Sequence, residues 1–296
     1  MTLAPLPRIP FRRILMTGGT GFVGRYLAPR LEAAAPEAER AVLLRSPSDI
    51  PPTGWQTIYG DIVDPVRTAE VIAGFRPDLI VHMAAQASVG QSHDTSENTW
   101  AVNFGGSFSL AKAVAAHAPK AVLLFTSSAE VYGLRLGEGP VDEQAPLRPQ
   151  NCYARSKAAT EFMLTDVYPK TGQVIIARPF NHLGAGQDER FVMASLAAQI
   201  ARIEAGLQEP VVRVGNTDAA RDFVDVNDVC DAYIHLLAHA PAIRKRDVFN
   251  ISTGQARKVQ ELFTLLIGAS KARFAVEVDP ARLRPNDIPV ALGVNR

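Results

Sequence analysis

Short runs rich in Val, Ile and Leu alternate with longer amphipathic stretches from Phe11 to about Arg178, and few folds accommodate that alternation. The runs read RRILMTG, AVLLR, QTIYGD, LIVHMA, AVLLFTSS and QVIIARP. Their interiors are continuously apolar, as in strands covered on both faces. Between them, 23–35, 100–116 and 154–167 have helical spacing and enough length to cross back over a sheet. The pattern predicts an α/β fold with a doubly wound parallel sheet. After Pro179 the texture changes: NHLGAGQDERF is glycine-rich and polar, 192–205 reads as a helix, and VVRVG and RDFVDV read as short strands. A domain over 1–180 is therefore expected beside a smaller α+β lobe over 181–296. The helical run DVCDAYIHLLAHA and the strand-like DVFNIS should return the chain to the first domain at about 222–252.

Composition narrows the class. With 47% hydrophobic and 21% charged residues the chain is neither disordered nor fibrous. Lys and Arg number 31 against 30 acids, so no whole-protein field favours nucleic acid or an anionic membrane, and any anionic ligand must be held locally. The N-terminus lacks the apolar core of a signal peptide, and no stretch approaches the roughly 18 apolar residues of a membrane span. Cys152 and Cys230 are too few for a disulfide framework and share no metal-ligand spacing with the six histidines. A cytoplasmic protein with reduced cysteines and no metal is expected.

Thr17-Gly18-Gly19-Thr20-Gly21-Phe22-Val23-Gly24 places Gly18, Gly21 and Gly24 three apart, directly after a strand and before a helix. Glycines permit a tight turn and close backbone approach, and the helix N-terminus aims free N–H groups at a pyrophosphate. The first domain is thereby expected to be a dinucleotide-binding Rossmann unit. At the end of the second strand, where an acid would receive the ribose 2′-hydroxyl of NAD, the chain reads Leu44-Arg45-Ser46. Arg45 favours the 2′-phosphate of NADP(H), with NAD(H) as the alternative. Asp61 and Ile62 after the third run, and Ala84, Ala85 and Gln86 after the fourth, stand at strand ends where the cofactor should lie.

Tyr153-Ala154-Arg155-Ser156-Lys157 puts Tyr153 and Lys157 on one helical face. The ammonium is expected to lower the phenol's pKa, as a proton donor to a carbonyl oxygen requires. Ser128, closing the fifth run, offers that oxygen a second hydrogen bond. His82, inside an apolar run, reads as a satisfied core histidine; Cys152 reads as a small packed hydrophobe, and His182 as a candidate lining residue.

The set Gly18, Gly21, Gly24, Ser128, Tyr153 and Lys157 resembles the extended short-chain dehydrogenase/reductase family over nearly the whole chain. AAQASV, SSAEVYG, Arg178-Pro179-Phe180-Asn181-His182, GQDERF, VRVGNTDAARDF and DPARLRPNDIP are similar to its GDP-sugar branch, above all GDP-4-dehydro-6-deoxy-D-mannose reductases. The resemblance implies a catalytic Ser128, Tyr153 and Lys157, with Asn103 supporting the lysine through water. It implies Arg178 among the cofactor contacts, and Ser88, Asn181, Arg213, Arg221 and Arg282 on a GDP-sugar. It also implies a homodimer formed through two helices of each subunit. Glu130 stands where related dehydratases carry their base, as either a substrate contact or a structural carboxylate. Its neighbour Ala129 departs from the dehydratase pattern, because alanine cannot protonate a leaving hydroxyl. The implied activity is reduction of the C4 ketone of GDP-4-dehydro-6-deoxy-D-mannose; a GDP-mannose 4,6-dehydratase, or another nucleotide-sugar epimerase or dehydratase of the family, is the alternative.

Overall fold

The computed structural model describes residues 6–86, 96–283 and 288–294. The six apolar runs form strands β1 (Arg13–Thr17), β2 (Glu39–Leu44), β3 (Gln56–Tyr59), β4 (Leu79–His82), β5 (Val122–Thr126) and β6 (Gln173–Pro179). Beyond a second lobe of shorter strands, β7 (Asn181–Leu183), β8 (Val211–Val214) and β9 (Ala220–Asp225), strand β10 (Arg246–Ile251) pairs with β6. The resulting parallel sheet has seven strands in the order β10-β6-β5-β4-β1-β2-β3. Successive residues feed opposite cores. Ile14, Met16, Leu79, Val81 and Leu124 pack with Leu27, Leu31, Val229 and Tyr233 of helices Phe22–Ala34 and Val226–Ala238. Leu15, Ile80, Leu123 and Phe125 pack with Ile72, Val114 and Leu164 on the other face. Each such fully buried aliphatic side chain contributes about 1.5–3 kcal/mol, which explains why these runs lack polar alternation.

The helix expected over 100–116 is interrupted. Ser96–Trp100 and Ser107–His117 are α-helical, but Ala101–Gly106 forms a π-helical turn. Gly105 and Gly106 weaken the α-helix there, and the bare Gly106 Cα admits Ile62, whose Cγ2 would lie 2.7 Å from an added Cβ.

In the second lobe, helices Val192–Glu204 and Val259–Ala269 close a small core of Leu196, Ile200, Val212, Val214 and Phe263. Strand β9 pairs with β7, β11 (Ala256–Lys258) and, beyond β12 (Ala275–Val278), β13 (Val290–Ala291). The segment carrying β13 then reaches back to the first lobe: Val141 bridges Gly293, and Asn250 Nδ2 donates to the Val294 carbonyl at 3.1 Å. Among the described residues no helix is long and apolar enough to cross a membrane, and no cluster of metal-ligating side chains occurs.

Candidate active site

The strand order reverses between β1 and β4, opening a crevice at the C-terminal edge of the sheet. The glycine loop fills one side of it. Gly18 has φ +73°, and a Cβ there would lie 2.7 Å from the Ala84 nitrogen. At Gly24 a Cβ would lie 2.4 Å from the Gly19 carbonyl oxygen. Gly21 caps the Phe22–Ala34 helix with no side chain, and the first turn, through Val23, carries no acid. Its free N–H groups are therefore available to a pyrophosphate, and the residues present fit a dinucleotide. Phe22 stacks on His182 at 6.1 Å between centroids, which brings β7 against this loop.

The other expected cofactor contacts divide. Arg45 is exposed just beyond β2, and the Asp49 carboxylate accepts from the Ser46 N–H at 3.1 Å, so the loop contains an acid after all. Asp61 is exposed and accepts from the Val63 N–H at 3.0 Å; Ile62 is buried in the core. Ala84 donates to Thr17 Oγ1 at 3.2 Å, Ala85 follows it, and Gln86 donates to Asn103 Oδ1 at 2.8 Å. Arg178 departs from its expected role. Its guanidinium is buried against Glu161, with Nε–Oε1 3.0 Å and Nη2–Oε2 2.5 Å, and donates to the Tyr132 hydroxyl at 2.9 Å. Those pairings turn it into the protein and away from a dinucleotide.

Ser128 ends the β5 segment and caps the 3₁₀ helix Ala129–Glu138, accepting from the Glu130 N–H at 3.2 Å. Asn151 caps the helix Cys152–Val167, accepting from the Ala154 N–H at 2.8 Å and donating to Glu130 Oε2 at 3.3 Å. Ser128 lies close enough to the Tyr153 hydroxyl to favour the phenolate. Burial pushes the Tyr153 phenol up to about 12, against that influence, and the Glu130 charge adds to the rise. The lowered phenol expected from the Tyr-x-x-x-Lys spacing is thus corrected: in the ligand-free chain desolvation of the phenolate dominates. Lys157 is itself buried, and its Nζ donates to the Thr126 carbonyl at 2.7 Å. Burial lowers Lys157 to about 7, with Glu161 opposing.

Asn103 sits in the π-helical turn with its side chain committed to Gln86 and, at 2.9 Å, to Ser156; its carbonyl accepts from Ser107 and Thr160. It meets the lysine's helix through Ser156 and Thr160. His82 is the core histidine the sequence suggests, held between Thr17 Oγ1 at 2.7 Å and Ser107 Oγ at 2.8 Å, and burial lowers it to about 3. Cys152 is half-buried, with Sγ 3.8 Å from the Ser96 carbonyl oxygen.

A cleft in the second lobe brings together Asn181, Arg213, Arg221 and Arg282, along with Arg190, which sequence reasoning missed although GQDERF displays it. These guanidiniums have partners: Arg213 pairs with Glu209 at 2.5 Å, Arg190 with Asp188 at 2.7 Å, Arg282 donates to Ser195 Oγ at 3.1 Å, and Arg221 donates to the Ile288 carbonyl at 2.7 Å. The exposed Arg213–Glu209 and Arg190–Asp188 pairs are worth about 0–1 kcal/mol each, so a diphosphate can displace them at small cost. Ser88 lies outside the described residues.

The family model "NAD dependent epimerase/dehydratase family" matches residues 14–252. The chain is 35% identical to GDP-6-deoxy-D-mannose reductase of Pseudomonas aeruginosa over 92% of its own length and 85% of that protein's. The structure of RMD from P. aeruginosa complexed with NADPH superposes with a TM-score of 0.78 at 31% identity, covering 95% of this chain and 89% of that one. UDP-glucose 4-epimerase of Thermus thermophilus, in complex with NAD, gives 0.80 at 28% identity, covering 95% and 90%. The chain therefore belongs to the NAD-dependent epimerase/dehydratase family, the extended short-chain dehydrogenases/reductases.

Proposed function

We propose that this chain reduces the C4 ketone of GDP-4-dehydro-6-deoxy-D-mannose with NADPH, yielding GDP-D-rhamnose. One observation carries the reading: Ser128 faces the Tyr153 hydroxyl, one helical turn from Lys157, while the adjoining position 129 holds an alanine. The name of the P. aeruginosa relative supports the same substrate class. When bound, NADPH supplies the hydride for the ketone carbon. Tyr153, protonated at neutral pH because burial raises its pKa, gives its proton to the ketone oxygen. Ser128 steadies that oxygen, and the Lys157 ammonium supports the cofactor ribose and the phenol. The cleft arginines take the diphosphate bidentately. Loss of the C6 hydroxyl would need a proton that Ala129 cannot give, so GDP-mannose is expected to bind unchanged. NADPH absorbance should fall stoichiometrically with the ketosugar and stay flat with GDP-mannose. A 4-keto product from GDP-mannose alone would identify a dehydratase instead.

NADP(H) is proposed over NAD(H) on the strength of Arg45. Arg45→Asp is expected to shift the ratio of kcat/KM from NADPH toward NADH, since a carboxylate repels the 2′-phosphate. An unchanged ratio removes Arg45 as the reader. A homodimer is proposed through the helices bearing the exposed Trp100, Phe108 and Phe162; sedimentation at single-chain mass would refute it.

A further inference from the structure

Three consecutive residues at the end of β5 meet three residues spaced by four on the 152–167 helix. Ser128 faces Tyr153, the Thr126 carbonyl takes Lys157 Nζ at 2.7 Å, and Ser127 Oγ donates to Glu161 Oε1. The first two rungs are the proposed catalytic pair and its lysine. The third has no role in that chemistry, yet it is the most enclosed: Ser127 is 1% exposed, Glu161 4% and Arg178 5%. Both Glu161 oxygens are engaged by Arg178, which is held in turn by Tyr132, whose hydroxyl donates to Asn250 Oδ1 at 2.7 Å.

Stability alone does not account for this arrangement. Desolvating a carboxylate and a guanidinium costs about as much as their attraction returns, and an apolar pair of equal volume would serve a core as well or better. What Glu161 adds, and an apolar residue would not, is a carboxylate one helical turn beyond a buried ammonium. We infer that Glu161 is a positioning residue: the third rung keeps Lys157 protonated in its desolvated place above the Phe125 ring, ready to act on Tyr153 and a cofactor.

The surroundings of Lys157 bear this out. Its Nζ lies 4.9 Å from the Phe125 centroid. Burial drives the ammonium down to about 7, and Glu161 is the charge that opposes the fall. The other titratable groups nearby give no such help. His82 on β4 is neutral, held down by burial and by the lysine's own charge. Tyr153 on the same helix and Tyr233 from the 226–238 helix are phenols whose burial keeps them protonated. Glu130 acts on Tyr153, and Arg178 from β6, a cation, would by itself disfavour a second one. The inference depends on Lys157 belonging to the catalytic set, and not on the identity of the sugar.

The test therefore uses no sugar. Lysine ε-carbons are labelled with ¹³C, and the Lys157 resonance is identified by its loss in Lys157→Arg. Its titration is then followed in the ligand-free protein. In Glu161→Gln the midpoint is expected to lie at lower pH than in the wild type. In Ser127→Ala, which keeps the carboxylate, it should stay in place. A midpoint unmoved or raised in Glu161→Gln overturns the inference, as does an equal fall in Ser127→Ala, which would assign the effect to packing. If Glu161→Gln does not fold, the double variant Glu161→Gln/Arg178→Met removes both buried charges; a smaller downward shift there supports the inference, and an unmoved or raised midpoint overturns it. Failure here leaves the proposed reduction untouched, and failure of the reduction assay leaves the lysine titration to be read on its own.

Discussion

Tyr153→Phe is expected to lower turnover by about 10²–10⁴-fold while NADPH still binds, the usual cost of losing a general acid. The substitution deletes one hydroxyl on a helix whose Asn151 cap and buried Ala154 are untouched. A hydroxyl held near 12 keeps its proton at neutral pH and can yield it to a developing alkoxide, as ketone reduction requires. Oxidation of an alcohol would need the phenolate, hence a Lys157 charge strong enough to reverse the effect of burial. Steady-state rates together with cofactor fluorescence titration decide the matter. Near-normal turnover in a folded Tyr153→Phe protein would take Tyr153 out of the mechanism.

Gly24→Ala should weaken NADPH binding and stability together. The added methyl group would sit 2.4 Å from the Gly19 carbonyl oxygen, 2.6 Å from its carbon and 2.7 Å from the Gly18 carbonyl oxygen. These are backbone atoms and cannot swing aside, so the loop must shift off the helix N-terminus. Overpacking of this kind costs about 1–3 kcal/mol; if it falls on the bound state, Kd rises about 5–150-fold. Gly74→Ala is the control. Gly74 is exposed within the helix Pro65–Phe75, nothing lies within 4 Å of its added Cβ, and the change should stabilise the fold by about 0.5–1 kcal/mol. Calorimetric NADPH titrations of both variants are the measurement, and an unaltered Kd in Gly24→Ala would mean that the cofactor does not rest on this loop.

The first six strands were legible because each is buried on both faces, so its apolar run is unbroken. The π-helical turn at Ala101–Gly106 was not, since helical spacing holds on either side and only the contact of Gly106 with Ile62 reveals the insertion. Tyr153, Lys157 and Ser128 could be found from helical spacing and a strand end. Glu161 lies at the same spacing, four residues past Lys157, but its meaning depends on Arg178 and Ser127, which only the register of helix against sheet brings to it. The same register pairs Arg178, a prominent cation at a strand end, with Glu161 and Tyr132 inside the protein. The cleft arginines are scattered between 190 and 282, and no periodicity links them. Resemblance named three of them, and the packing of the second lobe around β9 gathers them.

The segment 288–294 touches both lobes. Ile288 and Pro289 accept from Arg221 and Ala220, Gly293 lies where any side chain would strike the Phe180 ring, and Val141 bridges back from far upstream. During synthesis, therefore, the β10 edge of the sheet and the loop around Val141 wait for almost the last described residues to leave the ribosome. Contacts so distant in sequence are slow to form, so the first six strands should assemble early, and the arginine-lined cleft should be the last part of the molecule to take shape.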